Sequence, residues 1–203
     1  MLRLYWADVS ALDPEPEAYV LTDYRRKKLE NQRLPDQRRQ GIGAELLLRA
    51  ALADAAPEFP WPPEIIAGLY GKPEWQIEGL YFSLSHSKNA AACAIADRPL
   101  GLDLQAPCLY SEMLARRFFA PEERQALFSS EDRDADFCRI WTMKESYLKA
   151  LGTGLSTPLP SFSVFGDLNA AFWTHRVGAY AVALCVPGEK SIVPDAVIQK
   201  QLP

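Results

Sequence analysis

Residues 141–155 read WTMKESYLKALGTGL and set charges inside an apolar pattern. Phe137, Ile140, Trp141, Lys144, Leu148 and Leu151 follow the three-and-four spacing of one helical face, and Lys144 stands within it. Glu145 comes one turn after Trp141 and one turn before Lys149. Burying an unpaired charge is unfavourable by several kcal/mol, so buried charges need partners such as a metal ion or an anionic ligand. The alternative is an exposed Glu145–Lys149 pair, worth only about 0.3–0.5 kcal/mol at this spacing. The pattern by itself accommodates both.

Other stretches carry compatible chemistry. In GLDLQ (101–105), a strand would put Gly101, Asp103 and Gln105 on one face and Leu102 and Leu104 on the other. A carboxylate and a carboxamide on one face form an oxygen-rich pair suited to a hard cation such as Mg²⁺. That ion takes one or two protein carboxylates and completes its shell with water and phosphate oxygens. Asp103 with Glu145 meets this pattern, whereas Asp103 alone reads as a surface residue at a strand end. In SLSHS (83–87), the adjacent Ser85 and His86 point to opposite faces of a strand. This argues against a Ser–His nucleophile pair and for hydrogen bonds to a pyrophosphate. GKP (71–73) joins a glycine that permits close backbone approach, a positive charge and a stiff proline. The stretch 25–39, RRKKLENQRLPDQRR, holds seven of the 22 basic residues and two of the 26 acidic ones. It is either a solvated basic helix face or an anchor for a phosphate-bearing ligand.

These residues need elements to place them. LRLYWADV alternates as a strand does, and a helical region follows, with Asp36 as a candidate cap and LLLRAALADA (46–55) running to Pro57. The proline-rich 56–63 is a loop. Residues 81–86 alternate as a strand, and AAACAIADRPLGLDLQ reads as a hairpin turning at Asp97-Arg98-Pro99. The small side chains of its first strand would let another element approach closely. Helices are predicted over 111–119, 122–128 and 134–151, the last closed by Gly152 and Gly154 and then by Pro158 and Pro160. Strands are predicted at 161–165, 171–176 and 178–186, with a polar tail after Pro187. His86-Ser-Lys-Asn-Ala-Ala-Ala-Cys echoes His175-Arg-Val-Gly-Ala-Tyr-Ala-Val, and a long helix precedes an Ala-rich strand in each half. This hints at two similar α+β halves.

Composition bounds the function. The 203 residues suffice for one sizeable core or two small, closely packed halves. A net charge of −4 argues against a general nucleic-acid binder. No apolar run of about 18 residues predicts a membrane span. The start lacks the charged-then-apolar order of a secretory signal. Cys93, Cys108, Cys138 and Cys185 form no CxxC pair, and the apolar settings of Cys93, Cys138 and Cys185 suggest small buried hydrophobes in a reducing, cytoplasmic setting. Two histidines are too few for a His-rich zinc site.

Taken in order, GKP at 71–73, FSLSHS at 82–87, GLDLQ at 101–105, RFFAPEE at 117–123 and WTMKESYLKALGTGL at 141–155 resemble the Sfp-type 4′-phosphopantetheinyl transferases. The likeness runs from about residue 25 to 165, and its last motif, W-x-x-K-E-x-x-x-K-x-x-G-x-G-L, is highly specific. The resemblance implies two pseudo-symmetric α+β halves, residues 1–100 and 101–203, with the active site in the cleft between them. It implies that the phosphopantetheine arm of coenzyme A moves to a serine of an apo acyl or peptidyl carrier protein, releasing adenosine 3′,5′-bisphosphate. Asp103 and Glu145 would be Mg²⁺ ligands (Mn²⁺ is an alternative). Ser85 and His86 would contact the pyrophosphate or the 3′-phosphate. Lys72 and Arg39 would hold the adenosine end, aided by Lys27 or Lys28. Lys149 would neutralise the departing phosphate, supported by Lys144. Glu123 matches a position associated with activating the serine, and Glu145 is the other candidate base. Gln105 departs from the family, which usually has glutamate there; its amide oxygen or a water would serve the metal, with weaker affinity expected. The carrier would dock near 106–119, and the two-halves arrangement favours a monomer. Two rival readings remain: a non-catalytic binder of coenzyme A or carrier proteins, and a metal-dependent phosphohydrolase using the same carboxylates.

Overall fold

The computed structural model describes residues 1–203, except that the side chain of Leu155, the last residue of the 141–155 motif, lies outside the described residues. In chain order the elements are β1 (Leu2–Asp8), α1 (Asp23–Glu30), α2 (Pro35–Ala55), β2 (Ile65–Ala67), β3 (Pro73–Trp75), β4 (Tyr81–Ser87), β5 (Ala90–Ala96) and β6 (Gly101–Gln105). They continue with α3 (Glu112–Phe118), α4 (Pro121–Phe128), α5 (Arg133–Leu151), β7 (Ala170–Val177), β8 (Tyr180–Pro187) and β9 (Ala196–Gln199). No helix among the described residues is long and apolar enough to cross a membrane.

One sheet has the order β4-β5-β1-β9 and another β6-β8-β7. The same unit occurs twice: a first strand (β1 or β6), a long helix (α2 or α5), then a hairpin (β4–β5 or β7–β8) whose second strand pairs with the first strand. The helix packs on that hairpin in each case, α2 on β5 and α5 on β8. The echo between His86 and His175 marks equivalent hairpins, in which His86 faces Ala91 and His175 faces Val182. Both turns need a left-handed residue, Lys88 at φ 48° and Gly178 at φ 55°. This is the two-halved α+β fold expected from the resemblance.

The two sheets face each other. Ala90, Ala92, Ala94 and Ala96 of β5 meet Leu102 and Leu104 of β6 and Val182, Leu184 and Val186 of β8 in one buried layer. The opposite face of β5, with Ala91, Cys93 and Ile95, packs with α2. The alanines are the small residues that let another element approach. That element is the second sheet, whose burial of aliphatic surface drives the halves together.

Several sequence expectations are corrected. β5 and β6 do not form a hairpin; the chain turns at 97–100 and β6 enters the other sheet beside β8. No strand forms at 161–165, where a 3₁₀ turn (Leu159–Ser161) precedes irregular chain. The tail after Pro187 is not merely polar: β9 returns to pair in parallel with β1, Arg3 opposite Ala196. β6 opens the second sheet at Gly101, and 196–199 returns to the first sheet. Asp36 is not a cap. α2 starts with Pro35 after Leu34, and Asp36 in its first turn pairs with Arg39. The basic stretch is two helices, α1 being capped by Thr22, whose side chain accepts from the Arg25 N–H. The sulfurs of Cys108 and Cys138 lie side by side, bringing the segment after β6 against α5.

Candidate active site

The cleft is built where edge strands of the two sheets meet. β4 is the edge of one sheet, β6 the edge of the other, and α5 lies across β6. Gly101 makes that crossing close: a Cβ there would fall 1.9 Å from the Ser146 carbonyl oxygen and 2.4 Å from the Ala150 nitrogen. The close approach brings the polar face of β6 against Ser146, Glu145 and Lys149 of the helix.

Asp103 is buried, and its Oδ1 accepts from Lys149 Nζ at 2.7 Å and from Ser85 Oγ at 2.8 Å. Lys149 Nζ also donates to Ser85 Oγ at 3.0 Å. Glu145, half-buried, has no hydrogen bond or ion pair among the described residues. Burial and the nearby negative charge of Asp103 raise its carboxyl above the usual range, against the pull of Lys149. A cavity of about 230 Å³ opens beside these groups, lined by Tyr70, Lys72, Leu84, Glu145, Lys149 and Gly152 among others. Lys72 reaches it from the turn between β2 and β3, its Nζ donating to the Leu100 carbonyl at 3.0 Å; burial lowers its ammonium below the ordinary value. Gly152 ends α5 in the left-handed conformation at φ 68°, which lets the following GTG segment turn against Tyr70.

Two carboxylates from different elements, one of them without a partner, suit a hard divalent cation. Among the described residues no group of three or more His, Cys, Asp or Glu is arranged to hold a metal ion. A third protein ligand would have to be the Gln105 carboxamide. Gln105 follows Asp103 on the same face of β6 but lines a second cavity, about 520 Å³, with Thr142, Arg139 and Arg176.

The remaining predicted residues divide. Ser85 does reach the site, but as a partner of Asp103 and Lys149; its hydroxyl is already engaged. His86 points the other way from Ser85, toward the α1 side. His86 is exposed on this face, and the atoms crowded around its ring, then the positive charges of Arg25 and Lys149, lower its imidazole pKa. Arg39 is occupied by Asp36 at 2.8 Å and the Leu12 carbonyl at 2.9 Å. Gln40, the next residue, ties α2 to the β4–β5 turn through the Lys88 carbonyl at 2.7 Å. Lys27 and Lys28 are exposed on α1, Lys28 lying 4.8 Å over the Tyr24 ring.

Lys144 and Glu123 are not brought to the cleft. They form an ion pair that is 1% and 0% exposed. Glu123 also accepts from the Ala120 and Val164 N–H groups, and Lys144 donates to the Phe162 carbonyl. The charge of Lys144 is tolerated because Glu123 is there, not because a ligand is. Glu123 and Lys144 are held to each other and to the backbone within the second half.

The sequence reading missed the structural use of the serines at 83, 85 and 87. Their strand-period spacing was visible, but the strand they face, β6, is brought there only by the fold.

A family model described as the 4′-phosphopantetheinyl transferase superfamily matches residues 99–186, the stretch from β6 through β8. The chain is 37% identical over 132 residues to a 4′-phosphopantetheinyl transferase of Bacillus subtilis, covering 64% of this chain and 58% of the relative. It is 37% identical over 131 residues to the 4′-phosphopantetheinyl transferase HetI of Nostoc, covering 60% and 55%. It is 40% identical over 98 residues to the 4′-phosphopantetheinyl transferase Sfp of B. subtilis strain 168, covering 47% and 44%. The chain thus spans about half the length of these curated relatives.

Proposed function

We propose that this chain, which belongs to the 4′-phosphopantetheinyl transferase superfamily, transfers the 4′-phosphopantetheine arm of coenzyme A to a serine hydroxyl of an apo carrier protein. The observation that carries this reading is the convergence of Asp103, Glu145 and Lys149 beside a cavity that Lys72 also lines. A diphosphate is anionic and repels nucleophiles, so a site that transfers part of it must supply positive charge and hold the groups in line. Lys72 and Lys149 supply that charge from the lining of the cavity.

Mg²⁺ fits the donor set, with Asp103 and Glu145 as ligands and the Gln105 carboxamide or a water as the third. When bound, the cation draws charge from the diphosphate and orients its oxygens. Lys149 neutralises the phosphate that departs with adenosine 3′,5′-bisphosphate. The serine oxygen forms a bond to the phosphorus that carries pantetheine, and the diphosphate bridge breaks. Of the two glutamates considered as base, Glu145 is the one that lines the cleft.

The carrier docks on the segment after β6. Leu109 is 81% and Met113 73% exposed, and the exposed Arg116 and Arg117 can meet an acidic helix. Tyr110, Leu114 and Phe118 mainly pack inward on Phe119, Phe137 and their neighbours.

A small panel of apo carriers tests the reading by mass spectrometry. Gain of one phosphopantetheinyl group that requires coenzyme A and Mg²⁺ is expected. Binding without a mass gain would establish a non-catalytic binder, and consumption of coenzyme A without labelling a phosphohydrolase.

A further inference from the structure

The serines of β4 form a row along one face. Ser83, Ser85 and Ser87 each accept, through Oγ, an alternate N–H along β6 and the residue after it: Leu102 at 3.0 Å, Leu104 at 3.1 Å and Ala106 at 3.0 Å. β4 and β6 are edge strands of different sheets. Hydroxyls therefore do what backbone carbonyls would do in a continuous sheet, and they satisfy an edge that would otherwise expose N–H groups at the seam.

Ser85 differs from the others. It also donates to Asp103 Oδ1 at 2.8 Å and accepts from Lys149 Nζ at 3.0 Å. A hydroxyl has one donor and two acceptor positions, and Ser85 fills all three with partners from β6 and α5. It is 5% exposed. It has no position left for a ligand oxygen unless one of these bonds is given up. Its effect on Asp103 is geometric. The terminal torsion of an aspartate is broad and roughly two-fold. Two donors on Oδ1 fix the carboxylate plane and leave Oδ2, which accepts no hydrogen bond among the described residues, as the oxygen free to meet a ligand.

We propose that Ser85 is the positioning residue of the cleft: it fixes the Asp103 carboxylate and the Lys149 ammonium in one orientation, while Ser87 only joins the two halves. This assignment rests on the transferase reading for what the fixed pair then does, but not for the positioning itself. Losing a group that orients a metal ligand lowers metal affinity by about 10–100-fold.

The test compares Ser85→Ala with Ser87→Ala. Each variant deprives one backbone N–H of its acceptor, Leu104 or Ala106, but only the first touches Asp103 and Lys149. Three quantities are measured: the thermal midpoint, Mn²⁺ binding to the protein without coenzyme A by water-proton relaxation, and kcat and KM with an apo carrier. Both variants should lose some thermal stability. Only Ser85→Ala should weaken Mn²⁺ binding by about tenfold or more and lower kcat while leaving the KM for coenzyme A within a factor of about two. If Ser85→Ala behaves as Ser87→Ala in Mn²⁺ binding and kcat, Ser85 is a seam residue and the proposal is overturned. It is equally overturned if only the KM for coenzyme A rises, since Ser85 would then be a ligand contact. Should Ser85→Ala not fold, Ser85→Cys keeps the volume with a weaker donor, and wild-type Mn²⁺ affinity in that variant refutes the proposal. A Ser85-dependent Mn²⁺ site in a protein that labels no carrier would support positioning while removing the transferase reading.

Discussion

Lys144 Nζ meets both carboxylate oxygens of Glu123, at 2.9 and 2.8 Å, inside the core of the second half. The next residue, Glu145, has no such partner and lines the cleft. Two neighbouring charges on one helix thus serve different ends. A buried pair is rarely a large net gain against an apolar replacement, but breaking it strands a charge.

Glu123→Gln or Lys144→Met should therefore destabilise the fold by about 3–5 kcal/mol, while the double variant Glu123→Gln/Lys144→Met, which keeps an acceptor for the Ala120 and Val164 N–H groups, should recover part of that loss. Denaturant unfolding measures it. Residual activity should follow the folded fraction; a Glu123→Gln protein that is fully folded yet inactive would return Glu123 to the role of base.

Glu145 carries a raised pKa, so its proton is held more tightly in the folded state than in the unfolded one. The associated stability is fully present below the unfolded carboxyl pKa and is lost as pH rises through the folded value. Glu145→Gln should consequently raise the Tm at pH 8 in EDTA, with little effect near pH 4. The same variant should lower kcat by about a hundredfold or more if Glu145 takes the serine proton. Thermal melts at the two pH values check the first part; an unchanged Tm at pH 8 would mean that burial and Asp103 do not disfavour the Glu145 carboxylate.

Gly101→Ala should disrupt the site through packing. The added Cβ meets backbone atoms of α5 at 1.9 and 2.4 Å, which cannot rotate away. A cost of about 3 kcal/mol is expected, together with loss of Mn²⁺ binding as β6 and α5 separate. Wild-type metal affinity in this variant would show that the close crossing is not what brings Asp103 and Glu145 together.

Gln105→Glu should tighten divalent-cation binding by adding charge to the donor set. Metal titration of the two proteins checks this, and identical requirements would exclude Gln105 as a ligand.

Coenzyme A and the carrier should be separable. Lys72→Ala removes positive charge from the cavity and should raise the KM for coenzyme A. Met113→Glu places charge on the exposed face after β6 and should raise the KM for the carrier instead. Steady-state kinetics with each substrate varied decides, and the reverse pattern would exchange the two sites.

Much of the protein was legible locally. Strand alternation gave β1, β4, β7 and β8. Apolar spacing with Gly152 gave α5, and the order of short motifs pointed to the family. Asp103 and Lys149 do meet, although they lie 46 residues apart in the chain, and Glu145 lies near enough to feel the charge of Asp103. The errors fell where pairing was decided at long range. The chain after β5 looked like a return strand because its turn chemistry was right, yet burial of Leu102 and Leu104 against the alanines of β5 is achieved by stacking a second sheet, not by extending the first. β9 was read as tail because its single partner, β1, lies almost the whole chain away.

The sequence by itself determined which residue types are present and how the strong local elements run, because propensity and periodicity act over a few residues. It could not determine which charge of Lys144-Glu145 is buried in a pair and which faces the cleft. Nor could it determine that the hydroxyl of Ser85 is used up by Asp103, Lys149 and the Leu104 N–H. Those outcomes depend on which groups meet across the seam and within each half. The partners sit on other elements, and only the packing of the two sheets and α5 decides which charges are compensated.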